Sequence, residues 1–196
     1  MRELFDGFAK WGPIVAICYT AVLFFELLVV FPLERMVISE PEIASVIWLP
    51  HAASVLSTVI VGPRAFFALF PTFITIRFFQ GGFAIDAITS EVILGSLIGA
   101  ICAPIAYLLV DLVNRQRNTR GLDLENWRTV LIIGAVASII NSILRGALFG
   151  GLDEGDHFLV VMSKVFVGDL VGLMLGLVFL VFLFRIINRS RLSEPD

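Results

Sequence analysis

Six long apolar runs, joined by short charged connections, constrain this chain more than any other feature. They cover approximately residues 12–32, 43–62, 64–79, 84–112, 128–150 and 158–184. A bilayer core about 30 Å thick needs roughly 20 apolar helical residues to cross it. Five runs reach that length, and the third, 64–79, falls short. With the N-terminus placed in the cytoplasm, the basic residues segregate by side. One side collects Arg2, Lys10, Arg64, Arg115, Arg117, Arg120, Arg128, Arg185, Arg189 and Arg191. The other side's loops hold Arg35 and Arg77, while Arg145 and Lys164 lie within runs. This asymmetry follows the positive-inside rule and predicts both termini in the cytoplasm. The outer loops are acidic, through Glu34, Glu40, Glu42, Asp153, Glu154 and Asp156. The expected fold is all-α, a polytopic integral membrane protein of about six transmembrane helices in one bundle.

Composition narrows the alternatives. The chain is 58% hydrophobic with a mean hydropathy of +0.95, far above the apolar share of a soluble domain. Six spans within 196 residues leave no loop large enough for a second domain, so residues 1–196 read as a single transmembrane domain. The basic stretch Arg185–Arg191 reads as a topology anchor at an anionic lipid surface. Cys18 and Cys102 fall inside apolar runs, where free cysteine behaves as a small hydrophobe. The first run is of full span length with no small-residue cleavage site after it, and is expected to remain as the first helix.

Proline and glycine punctuate the runs. Pro13 suits a first helical turn, and Phe31-Pro32 is the expected end of helix one. Pro50, inside Ile47-Trp48-Leu49-Pro50-His51, is expected to kink or break helix two. Backbone of that kind survives at membrane depth only when covered by protein or facing a wet cavity. Ser54, Ser57 and Thr58 are expected to hydrogen-bond the backbone freed there. Gly62-Pro63-Arg64 makes a tight turn into helix three, which carries Pro71 and reads as either a tilted or a re-entrant span. Gly81-Gly82 forms a flexible link. Helix four carries Gly95 and Gly99, and helix six carries Gly168, Gly172 and Gly176 at four-residue spacing. Small residues at that interval make a smooth stripe for close helix packing and predict a central position for helix six.

Ionisable residues inside the membrane are the candidates for function, because charges there are costly and must face the interior. Glu26, Glu91, Lys164 and Asp169 belong to the outer halves of helices one, four and six. Asn141 and Arg145 stand four apart, on one face of helix five. His51 lies near the middle of helix two with Trp48 beside it. One reading makes these residues interhelical ion pairs that fix the bundle. The other makes them contacts in a polar pocket open to the outer side, with Asp169 as the leading residue. Trp11 and Trp127 are expected at the interfaces. His157 and the Asp153–Asp156 cluster read as a solvated loop without calcium-site spacing. There is no nucleophile elbow, metal-binding His pair or phosphate loop. Neither an enzyme nor a cofactor, metal or nucleic-acid partner is expected.

Two segments carry a resemblance. Ile47-Trp48-Leu49-Pro50-His51-Ala52, followed by Gly62-Pro63-Arg64 and Phe70-Pro71, resembles the start of MASE1 domains, with their Trp-x-Pro segment and glycine/arginine turn. Val167-Gly168-Asp169-Leu170-Val171-Gly172 resembles the family's Gly-Asp-x-x-Gly helix. Phe166 and Val167 stand where that family usually has tryptophan. The MASE1-like region covers about residues 43–184. The resemblance implies a sensory module of a bacterial cytoplasmic (inner) membrane. Such modules usually have more helices and are fused to cytoplasmic output domains, so this chain reads as a stand-alone form.

The leading functional expectation is therefore a membrane sensor or ligand-binding module. It would take an unknown small ligand from the outer side and signal through another membrane or cytoplasmic protein. A substrate-binding subunit of an uptake system and a structural subunit of a larger complex are the alternatives.

Overall fold

A computed structural model describes residues 2–37, 47–85, 88–116, 126–149 and 155–191. Among the described residues there are six helices and no strand. Helix α1 comprises Arg2–Phe25, a π-helical turn Glu26–Val30 and Phe31–Val37. It is followed by α2 (Leu49–Val61), then a 3-10 turn Pro63–Ala65 leading into α3 (Phe66–Gln80). The remaining helices are α4 (Ser90–Gln116), α5 (Trp127–Phe149) and α6 (Gly155–Arg191). Four stretches are long and apolar enough to cross a membrane: Lys10–Met36, Ser90–Gln116, Trp127–Leu148 and Phe158–Phe182. The chain is accordingly a helical membrane protein. Glu40, Glu42, Arg117, Arg120, Asp153 and Glu154 lie outside the described residues.

Several local expectations are corrected. Helix one does not stop at Phe31-Pro32 but continues to Val37. Pro32 has no N–H and its ring would crowd the carbonyl four residues back. The π turn immediately before it widens the ladder, with the Phe31 N–H bonded to the Glu26 carbonyl. Pro13 likewise sits inside α1 rather than at its start. Of the two outcomes expected at Pro50, the structure shows a break and not a kink, with the helix starting at Leu49. Pro50 occupies the first turn, where a missing N–H costs nothing, and Trp48 before it is non-helical at φ −122°. Two of the three hydroxyl residues of α2 bond backbone carbonyls: Ser54 Oγ donates to the Pro50 carbonyl at 3.2 Å and Thr58 Oγ1 to that of Ser54 at 2.9 Å. Asp156 and His157 belong to the first turn of α6, not to a loop. Trp11 packs against the core cluster around Val15 and Ala65, whereas Trp127 is exposed at the start of α5.

The central helix is α2, not helix six. With 13 residues it is the shortest of the six, and nine of them are buried. It packs against α1, α4, α5 and α6. Val55 and Val59 join a cluster with Ala103, Ala106, Ile133, Ala137 and Leu173. On the opposite side, Ala53 joins Tyr19, Leu23, Ala65, Leu69 and Ala100. Alanines dominate these contacts because, in lipid, helices gain stability by close approach rather than by expelling water. The outer faces stay apolar, with Ile14, Leu28, Ile60, Leu108, Phe179 and Phe182 all exposed.

The glycine stripe of α6 receives the entry of α2. Trp48 N–H donates to the Gly168 carbonyl at 2.9 Å. A Cβ at Gly172 would collide with the Trp48 carbonyl, and one at Gly176 would lie 2.6 Å from Ala52 Cβ. The close approach at Gly172 is therefore to extended backbone, the Trp48–Leu49 peptide, rather than to the side of another helix. From the other flank, α1 supplies two carboxylates. Glu34 Oε1 accepts from the Ile47 N–H at 2.8 Å, and the fully buried Glu26 accepts from the Leu49 N–H at 3.3 Å. The free N–H groups at the start of a helix in an apolar setting need such acceptors.

Candidate functional site

Because α2 begins part-way along the bundle, the longer helices enclose a space beyond its first turn. This cavity measures about 620 Å³ and takes residues from all six helices. Its floor is a hydrogen-bonded chain of polar side chains. Asn141 Nδ2 donates to Asp169 Oδ2 at 2.6 Å, and His51 Nδ1 stands 3.4 Å from the same oxygen. The other imidazole nitrogen, Nε2, lies 3.1 Å from Ser138 Oγ and 3.3 Å from the Gly134 carbonyl. Arg145 Nε donates to Asn141 Oδ1 at 3.0 Å, extending the chain along α5.

Asp169 is 1% exposed, so its carboxylate oxygens depend on these partners. A proton on His51 Nδ1 would direct that N–H toward the carboxylate. A neutral imidazole then accepts from Ser138, whereas an imidazolium donates from Nε2 to the Gly134 carbonyl.

The walls are aromatic and polar. Tyr19 of α1 and Phe73 of α3 pack with ring centroids 4.4 Å apart and planes tilted by 34°. Trp48 and Phe31 line the same space, as do Arg77 and Gln80 from the last turn of α3 and Glu91 and Ser96 from α4. The small residues of α4 clear the volume. A Cβ at Gly99 would lie 2.6 Å from the Phe73 ring and 3.3 Å from an Arg145 terminal nitrogen.

Of the residues singled out in the sequence, the cavity brings together Asp169, Arg145, Asn141, Glu91, His51 and Trp48. Glu26 is not among its lining residues and instead caps the backbone of α2. Lys164 is exposed on α6 and does not line the cavity. Gly95, Gly99 and Gly168 do not act only as packing positions, since Gly95, Gly99 and Gly168 also form cavity wall. Arg77 was expected in an outer loop, yet it stands in α3 and faces the cavity. Ser138, Asn141 and Arg145 follow three- and four-residue spacing, a polar stripe that would have signalled Ser138. The ion-pair staples expected between Arg145 or Lys164 and the acids are absent among the described residues, where the one interhelical pair is His51–Asp169. No cluster of metal-ligating side chains occurs among them either.

No family model, curated protein or solved structure matches the chain.

Proposed function

We propose that the chain is a ligand-binding module of a bacterial cytoplasmic membrane, of the sensory kind that its MASE1-like segments suggest. The observation that carries this reading is the cavity beyond α2, into which His51, Arg77, Glu91, Asn141, Arg145 and Asp169 converge. Ionisable groups placed inside a membrane are costly, and a shared chamber lined by them is the usual signature of a binding site. A structural staple would instead pair each cation with an acid and fill the space between them.

In this reading the chain spans the membrane six times with both termini in the cytoplasm, as the distribution of arginine favours. The ligand enters from the outer side and engages the polar floor. Its occupancy shifts α6 against the Trp48 backbone at Gly172, and α6 carries the change to a partner protein. At 37 residues α6 is about 55 Å long, well beyond the bilayer core, so its basic end projects to meet such a partner. A ligand drives this shift only to the extent that it binds the two packings with different affinity.

The test is purification in mild detergent with mass spectrometry of everything retained, for the wild type and for Asp169→Asn. A small molecule held by the wild type and lost from the variant is expected. A fixed set of membrane subunits retained by both forms, with no small molecule, would overturn the reading in favour of a structural subunit. An energising partner that accompanies the molecule would recast the chain as an uptake subunit.

A further inference from the structure

Arg77 and Arg145 face the cavity from α3 and α5, near enough to act on one another electrostatically. Neither has a carboxylate within ion-pairing distance among the described residues. Arg145 spends Nε on Asn141, and Arg77 donates one terminal nitrogen to Gln80 Oε1 at 3.1 Å. The outer N–H groups of both guanidinium forks remain for another acceptor. Two cations lining one partly enclosed chamber repel each other unless an anion lies between them, and a planar fork suits a carboxylate or a phosphate. The acids in the lining do not fill that place. Asp169 is held by His51 and Asn141, and Glu91 is exposed in the first turn of α4.

A second, independent sign is the Ser96 hydroxyl. It is buried, belongs to the cavity lining and has no hydrogen-bond partner. Buried hydroxyls without partners are rare and call for an acceptor at the site.

The third observation lies outside the chamber. A groove of about 570 Å³ runs between α1 and α3, walled by Gly12, Ala16, Thr20 and Phe24 on one side and by Ala68 and Pro71 on the other. It is apolar along most of its length. Leu23, Leu27, Ile76 and Gln80 line both the groove and the polar cavity, so the two spaces adjoin, and they do so beside Arg77. From Gly12 to Leu27 the groove follows sixteen residues of α1, a rise of about 22 Å.

We propose that the cavity and groove together hold one amphiphile with an anionic head and a single long apolar chain. The carboxylate or phosphate head sits on Arg145 and Arg77 and accepts from Ser96, and the chain lies between α1 and α3. This inference rests on the ligand-binding reading above and specifies the class of ligand. A free long-chain acid and a single-chain phospholipid share this chemistry.

The protein in phosphatidylcholine nanodiscs is titrated with sodium oleate, lysophosphatidic acid, oleyl alcohol, sodium acetate and sodium phosphate, with the thermal unfolding midpoint as readout. Oleate, lysophosphatidic acid or both are expected to raise the midpoint, and which of them does so identifies the source. Oleyl alcohol, acetate and phosphate are expected to leave it unchanged at equal concentration. Arg145→Gln and Arg77→Gln should each weaken the effective amphiphile at least tenfold, as should Ala16→Phe, which fills the groove. Arg77 is exposed, so its variant keeps the test decisive if Ala16→Phe fails to fold. A response to oleyl alcohol equal to that of oleate, persisting in both arginine variants, would mean unspecific partitioning and overturn the proposal. Stabilisation by acetate or phosphate that Ala16→Phe leaves intact would also overturn it, while sparing the ligand-binding reading. Silence from every probe overturns it too. In that case the purification of wild type against Asp169→Asn decides whether the binding reading falls with it.

Discussion

At Gly172 a single hydrogen separates α6 from the Trp48 carbonyl, and the contact is to backbone, which cannot swing aside. Gly172→Ala is therefore expected to cost about 1–3 kcal/mol, the usual range for overpacking, read as a lower unfolding midpoint in detergent. Glu26 offers a second test at the same scale. Its carboxylate accepts from the Leu49 N–H in a fully buried place. Glu26→Ala should lose about 1–3 kcal/mol by leaving the part-buried Leu49 donor without this acceptor, whereas Glu26→Gln, which keeps an acceptor oxygen, should lose clearly less. The same unfolding measurement on both variants checks the difference. These residues also mark what the sequence discloses. Asp169, Asn141 and Arg145 are legible because a charge inside an apolar run has few reasons to be there and because their spacing sets a face. Arg77 is not, since a charge at the end of a short run reads as loop. Tyr19, Phe73 and Ser96 carry no signal at all, because aromatic and hydroxyl side chains are ordinary in any membrane helix.

The second helix is where sequence and structure diverge most among the elements. Residues 43–62 have the length and apolarity of a full span, yet the helix begins only at Leu49. Pro50 marks the irregularity, but a proline is equally compatible with a kink and with a first turn, and the run alone cannot separate them. The distinction has a measurable consequence. Pro50→Ala removes a residue from a first turn, not from a kink, and should change stability by less than about 1 kcal/mol. Gly62, at the other end, has φ +84°, and Gly62→Ala should cost about 1 kcal/mol or more although the space around it is open. Comparing the two unfolding midpoints separates a helix that starts at Pro50 from one that bends there. The glycine repeat of α6 is legible as a place of close approach. What approaches it is not, because the repeat specifies a smooth surface and says nothing about whether a helix or an extended segment lies on it.

For the whole molecule, the count of six helices follows from the apolar runs, while the burial of the shortest helix at the centre does not. Hydropathy ranks segments by apolarity, and α2 is buried over most of its surface by four neighbouring helices, a relation between helices that no single run contains. The length of α3, 15 residues, poses the remaining question of topology. If it crosses the membrane, a cysteine at Arg64 should be labelled by an impermeant maleimide only from the cytoplasmic side and one at Gln80 only from the outer side. Both positions are exposed. Labelling of both from one side would make α2 and α3 a re-entrant pair. The π turn of α1 bears on the same architecture as a matter of phase. On a regular α-helix, Glu26 and Glu34, eight positions apart, would point about 80° away from each other. The five-residue turn absorbs one extra position, which returns Glu34 to the azimuth of Glu26. Both carboxylates then address the single segment Ile47–Leu49. The turn thus behaves as a one-residue insertion: regularising it at unchanged length would swing Glu34 out of line by about 80°, whereas deleting the extra residue would leave the two carboxylates in phase, so the mouth of the chamber is set by an odd count in a helix that only borders it.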